Sequence, residues 1–201
     1  MTTLAVLLAA GGGTRFSAGD EARGHKLLAL LRGRAVVDHS FAAMVAAGLD
    51  DCVVVTGAVD LADHVSGVAI AHNPRWASGQ RSSLMVAVEH ARARGHDAIV
   101  VGLADQPFVT ADAWRRVADS DAPIAVASYG GRRGNPVRLH ESVWPELDDP
   151  RADPDSGARS LMSRYPDLVR LVECEGSDAD IDTVEDLQNL RTQNEDPTTW
   201  T

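Results

Sequence analysis

Residues Leu4 to Lys26 read LAVLLAAGGGTRFSAGDEARGHK, and the rest of the chain is organised around them. An apolar run, Leu4 to Leu8, ends at two alanines and three consecutive glycines, and Arg15 and Lys26 follow. A short apolar run without charge suits a strand buried on both faces, as in a parallel sheet. Glycines directly after such a strand let the backbone turn sharply and bring its N–H groups close to a ligand. Backbone donors, little side-chain bulk and two cations together describe a cradle for a polyphosphate. Two familiar phosphate loops are excluded. The dinucleotide fingerprint G-x-G-x-x-G fails because Phe16 stands where the third glycine is required. The P-loop fails because Gly19 to Gly24 continues with His25 before Lys26.

Outward from this turn, helices and strands alternate. The sequence predicts a helix over Val36–Ala47 ending at Gly48, and a buried strand over Cys52–Thr56. A weaker strand is expected over Val68–Ala71, a helix over Gln80–Arg94 ending at Gly95, and a buried strand over Ala98–Leu103. A helix capped by Thr110 follows. Such alternation predicts an α/β fold, Rossmann-like, of three layers (α/β/α) around a mostly parallel sheet. Right-handed crossovers would gather the strand C-termini on one edge, where ligands bind. Past Asp121 the pattern changes. Strands are expected over Ile124–Ser128 and Asn135–Leu139 around a Gly130–Gly134 turn, then a polar loop from Asp148 to Pro154. A helix over Gly157–Tyr165, a strand over Leu168–Val172 and a last helix over Val184–Leu190 follow, with Thr183 or Asp182 as its cap. One domain is expected over residues 1–193, with a tail over 194–201.

The chain has 201 residues, 44% of them hydrophobic, enough for a proper core. A net charge of −10 argues against broad contact with nucleic acid or an anionic membrane. Cys52 and Cys174 lack metal-binding spacing, and Cys52 reads as a small core residue. The first apolar run has no basic flank and is short for a signal peptide, so a cytoplasmic, soluble enzyme is expected.

Two aspartates stand out on local grounds. Asp105 directly follows the strand Ala98–Leu103, at the ligand edge, a place for Mg²⁺ or for an ordinary loop carboxylate. Asp182 precedes the last helix, where capping is the simplest local role.

Several motifs in order carry a family resemblance. LAAGGGTRF…HKLL resembles the L-A-A-G-x-S-x-R-M-G…P-K-L-L opening of the molybdenum-cofactor nucleotidyltransferases, within the nucleotide-diphospho-sugar transferase-like superfamily. Ala104-Asp105-Gln106-Pro107 is similar to its D-Q-P segment, and Asp180-Ile181-Asp182-Thr183-Val184-Glu185-Asp186 to D-I-D-T-P-E-D. Asn73-Pro74-Arg75-Trp76-x-x-Gly79-x-x-x-Ser83 resembles the stretch that lies against the base. Gly134-Asn135-Pro136-Val137 resembles G-H-P-V, and Asp155-Ser156-Gly157-Ala158-Arg159 resembles D-x-G-A-R on the acceptor side. The chain departs at Phe16, at the longer loop before Lys26, at His25 for proline and at Asn135 for histidine.

The resemblance implies transfer of a nucleoside monophosphate, CMP from CTP by the L-A-A-G opening, onto a phosphorylated, pterin-type acceptor with release of pyrophosphate. It implies Mg²⁺ on Asp105 and Asp182, and Arg15, Lys26 and Asp105 as catalytic residues. Nucleotide contacts fall on Leu8, Ala9, Ala10, Gly11, Gly12, Arg15, Lys26, Asn73, Gly79, Ser83 and Asp105, and acceptor contacts on Asn135, Asp155 and Arg159. A recipient molybdoenzyme or chaperone is the expected partner. Two other readings stay open: an NAD(P)H-dependent reductase on the same scaffold, and a nucleotide-binding regulator without turnover.

Overall fold

The fold is described from a computed structural model, over residues 1–17, 24–148 and 157–192. The expected loop after Asp148, Asp155 and the tail from 194 lie outside the described residues.

Strand β1 (Thr3–Ala9) is buried along its whole length, as its uncharged sequence requires. A one-turn helix α1 (Thr14–Ser17) follows the glycines. Leu30–Leu31 (β2) and Arg34–Ala35 (β3) form a small antiparallel hairpin. Helix α2 (Val36–Ala47) ends at Gly48 in the left-handed region. Next come β4 (Asp51–Thr56), β5 (Ala69–His72), α3 (Gln80–Arg94) and β6 (Ala98–Leu103). Helix α4 (Ala111–Ala118) is capped by the Thr110 hydroxyl, which accepts from Ala113 N at 3.1 Å. Strands β7 (Ile124–Tyr129) and β8 (Arg132–His140), helix α5 (Arg159–Arg164), β9 (Val169–Glu173) and α6 (Val184–Thr192) complete the order.

Seven strands form one sheet in the order β5-β4-β1-β6-β8-β7-β9. β1 lies between β4 and β6, parallel to both, and β8 runs antiparallel to β6 and β7. One correction concerns the β7–β8 turn. It is only Gly130-Gly131, both with positive φ (58° and 82°), so Arg132, Arg133 and Gly134 belong to β8. Two consecutive left-handed residues make a tight hairpin turn whose twist matches the flanking strands, which leaves no room for a longer loop.

Two apolar layers cover the sheet. Leu7, Met44, Val54, Val100 and Trp114 belong to one, and Val6, Leu84, Val88, Ile99 and Trp144 to the other. A third, smaller cluster of Phe16, Leu31, Val36, Ile181 and Leu187 locks α1, the hairpin, α2 and the segment leading into α6 together. It also explains Phe16: the ring is 3% exposed and serves as an anchor under the glycine loop. Among the described residues no helix is long and apolar enough to cross a membrane.

Candidate functional site

β1, β4, β5 and β6 end on one edge of the sheet, and the turn after β1 opens there. The register places Leu8 beside Val55 and Leu103. Beyond the ladder, Ala58 N donates to Ala10 O at 3.1 Å and Ala104 N to Leu8 O at 3.0 Å, so the strand end is held from both sides. Ala9 and Ala10 are buried. A Cβ added at Gly11 would meet no described atom within 4 Å, so bare backbone is presented at that point. A Cβ on Gly12 would lie 2.9 Å from the Trp76 ring, and one on Gly57 2.6 Å from both Ala10 O and the Trp76 Cβ. The indole therefore packs across the two turns, and only glycine permits that approach.

Four charged side chains, distant in sequence, meet at this turn. Lys26 Nζ lies 2.6 Å from Asp105 Oδ2 and 2.9 Å from Asp182 Oδ1, and Arg15 lies 2.7 Å from Asp182 Oδ2. The Lys26 side chain is 12% exposed and that of Arg15 74%. The two aspartates are also linked through the backbone, since Ile181 N donates to Asp105 O at 3.0 Å. Burial works to lower the Lys26 pKa, but Asp105 and Asp182 outweigh it and hold the ammonium above its usual value. Lys26 is therefore a fixed positive charge.

His25, which departs from the family's proline, ties this assembly together. Its Nε2–H donates to Gly11 O at 2.9 Å, and its Nδ1 accepts from Leu27 N at 3.2 Å, which caps the 3-10 turn carrying Lys26. Both bonds together require the neutral ring with its proton on Nε2. Burial keeps it neutral by pushing its pKa down, helped by the Lys26 charge against the Gly11 hydrogen bond.

The cap of α6 answers the question of Asp182. Thr183 Oγ1 accepts from Asp186 N at 3.1 Å, and Asp186 Oδ2 accepts from Thr183 N at 2.7 Å and Asp182 N at 3.1 Å. Thr183 and Asp186 form a reciprocal capping box, so the Asp182 carboxylate is left to the cations.

The expected base-side residues divide. Gly79 adopts φ 108°, a conformation that favours glycine, directly before α3. Asn73 and Ser83 are buried, and Asn73 Nδ2 donates to Ser82 Oγ at 2.8 Å and Ser83 Oγ at 2.9 Å. Their place is in the wall that sets the start of α3. On the acceptor side, Asn135 and Arg159 line one cavity of about 110 Å³, together with Gln80, Leu8, Leu84 and Met162. Asn135 Nδ2 donates to Gln106 Oε1 at 3.1 Å, and Gln106 Nε2 to Asp178 O at 3.0 Å. Gln106 and Trp76 stand inside motifs read from the sequence without a role of their own there, and Gly57 stands outside them. The signals available were a glutamine directly after Asp105 and a glycine directly after the apolar run Cys52–Thr56.

The carboxylate pair suits a divalent ion. Asp105 Oδ1 is buried and has no hydrogen-bond partner among the described residues. Among those residues no three His, Cys, Asp or Glu side chains gather as a metal cage. Two carboxylates fit Mg²⁺, which usually takes one or two from the protein and completes its shell with waters and substrate phosphates.

A mostly parallel α/β sheet with a glycine turn, two cations and two carboxylates at its C-terminal edge defines a nucleotidyltransferase-type fold. Residues 5–169 match the MobA-like NTP transferase domain, and the chain belongs to that family. The Rv0371c protein of Mycobacterium tuberculosis H37Rv is 26% identical, with a TM-score of 0.77 over 95% of this chain and 98% of that one. A second structure of it, a complex with manganese, is 27% identical with a TM-score of 0.71 over 94% and 98%. A nucleotidyl transferase from Methanothermobacter (Mth528) is 28% identical, with a TM-score of 0.78 over 96% and 97%. The bifunctional protein GlmU of Sinorhizobium medicae is 31% identical over 140 residues, which is 68% of this chain and 28% of that protein.

Proposed function

We propose that the chain transfers a nucleoside monophosphate, CMP from CTP, onto a phosphorylated pterin-type acceptor of the molybdenum-cofactor kind. An acceptor phosphate oxygen bonds to the α-phosphorus, the bond from that phosphorus to the α–β bridging oxygen breaks, and pyrophosphate leaves with the electron pair. This reaction needs positioning and charge neutralisation rather than a nucleophilic side chain. The observation that carries the reading is the meeting of Arg15, Lys26, Asp105 and Asp182 beside the glycine turn, where the Lys26 stem lies against Gly13. The glycine turn holds the triphosphate, and Arg15 and Lys26 neutralise the departing pyrophosphate. Asp105 and Asp182 would hold Mg²⁺, which supplies Lewis-acid charge to the reacting phosphate oxygens. The cavity lined by Asn135 and Arg159 receives the acceptor, with Asp155 as a further contact. The free thiols of Cys52 and Cys174 suit the cytoplasm, where a recipient molybdoenzyme or its chaperone would collect the product.

The choice of CTP rests on Ala9-Ala10-Gly11, the opening that resembles the cytidylyl branch. A ligand that binds the folded state raises its melting temperature, more so the tighter it binds. With Mg²⁺ at equal nucleotide concentration, CTP should raise it more than GTP, and Ala10→Gly should narrow the gap. An equal or larger shift with GTP overturns the cytidylyl assignment.

A further inference from the structure

We propose that Lys26 is a built-in counter-ion occupying the cation position between Asp105 and Asp182, and that its ammonium must leave before a divalent ion can bridge them. The inference rests on the transferase reading of this site and concerns how its ligands depend on one another.

The Lys26 ammonium bonds Asp105 Oδ2 and Asp182 Oδ1, one oxygen of each carboxylate. A divalent ion held between the two carboxylates would compete with the ammonium for them, and Mg²⁺ needs its ligands at about 2.0–2.1 Å. An ammonium at 2.6 and 2.9 Å from the same atoms leaves no space for it. Charge points the same way. Lys26 and Arg15 balance Asp105 and Asp182 and leave the exposed Asp180 carboxylate as the excess charge, so the cluster attracts a lone divalent ion less than bare carboxylates would.

The lysine is placed to move between two anionic partners. A Cβ on Gly13 would lie 3.4 Å from Lys26 Cγ, so the stem runs along the glycine turn itself. Below it, His25 fixes the 3-10 turn through Gly11 O and Leu27 N. Rotation about the last side-chain bonds then swings the ammonium from the carboxylates toward phosphates held on the turn. A triphosphate draws Lys26 away and frees Asp105 Oδ2 and Asp182 Oδ1, beside the unpartnered Asp105 Oδ1. Nucleotide and divalent ion thereby assist each other's binding, and a lone metal ion is held weakly.

The test is a Mn²⁺ titration without nucleotide, followed by electron paramagnetic resonance of the free ion. Wild type is compared with Lys26→Met, Lys26→Gln, Lys26→Arg and Lys26→Met/Asp105→Asn. Loss of the lysine charge should tighten Mn²⁺ binding at least tenfold in Lys26→Met and Lys26→Gln. Lys26→Arg keeps the charge and, with its folding checked by thermal melt, should bind as weakly as wild type, while the double variant should lose the gain. Equal or weaker Mn²⁺ binding by Lys26→Met and Lys26→Gln, or a gain in Lys26→Arg equal to theirs, overturns the proposal. The transferase reading fails separately, if wild type binds no nucleoside triphosphate in the presence of Mn²⁺.

Discussion

Asp186→Ala and Asp182→Asn should separate the helix cap from the site, although the two residues are four positions apart. Asp186 Oδ2 accepts from two backbone N–H groups and from the Thr183 hydroxyl at 2.8 Å. Its removal leaves the Asp182 and Thr183 N–H groups and the Thr183 hydroxyl without their acceptor and breaks one half of the capping box, a loss of about 1–2 kcal/mol. At about 2–4 °C per kcal/mol for a chain of this size, the melting temperature should fall by about 2–8 °C. The pH dependence follows from the Thr183 hydroxyl and the backbone bonds, which hold the Asp186 pKa below its usual value. A carboxylate depressed in the folded state stabilises above its unfolded pKa of about 3.9 and loses that contribution as pH falls through the folded value. The gap between wild type and Asp186→Ala should therefore be full at pH 6 and close below about pH 4.

Asp182→Asn should show the opposite profile. Its partner Arg15 is largely exposed, and exposed pairs contribute about 0–1 kcal/mol. Lys26 retains Asp105, so stability should change little while metal-dependent nucleotide binding falls. Thermal melts from pH 3 to 7, paired with nucleotide titrations in Mg²⁺, read both effects. Greater destabilisation by Asp182→Asn than by Asp186→Ala would refute the assignment of the cap to Thr183 and Asp186.

Three further outcomes are expected. Arg15→Ala should weaken triphosphate binding tenfold or more by calorimetry, since a charged hydrogen bond is worth about 1.5–3 kcal/mol, with the melting temperature nearly unchanged. Gly57→Ala places a methyl 2.6 Å from Ala10 O, so it should cost about 1–3 kcal/mol in denaturant melts and displace the Trp76 ring, read by its fluorescence. His25, whose folded pKa is lowered by burial, stabilises above its unfolded value of about 6.5 and loses that as pH falls further. The melting-temperature loss between pH 7 and 5 should therefore shrink in His25→Gln.

Much of this was legible in the sequence where a terminator or a periodic face decided the element. Val36–Ala47 and Gln80–Arg94 end where Gly48 and Gly95 turn left-handed, and Ala98–Leu103 is an uncharged run buried from Ala98 to Gly102. The start of β8 was not legible, because Arg132, Arg133 and Gly134 look like turn residues and become strand only through pairing with β7. At the site, Arg15, Lys26, Asp105 and Asp182 could be named from motifs in order. Their mutual pairing could not, because it depends on the apolar cluster that docks Ile181 and Leu187 against Phe16. Asp182 illustrates the difference. Local sequence favoured a cap and the family resemblance a metal ligand, with room for both, and the geometry gives the cap to Thr183 and Asp186. His25 had no local signal beyond replacing a proline, since both of its bonds reach backbone atoms that the fold brings to it.

The central claim, that a triphosphate and a divalent ion meet on the glycine turn beside Asp105, is tested most directly by calorimetric titration of CTP into wild type and Asp105→Asn. Each is measured with Mg²⁺ and with the metal chelated. CTP should bind wild type at least tenfold more tightly with Mg²⁺, with no such gain in Asp105→Asn. Equal enhancement by Mg²⁺ in both proteins, or no binding of CTP to wild type under either condition, would contradict it.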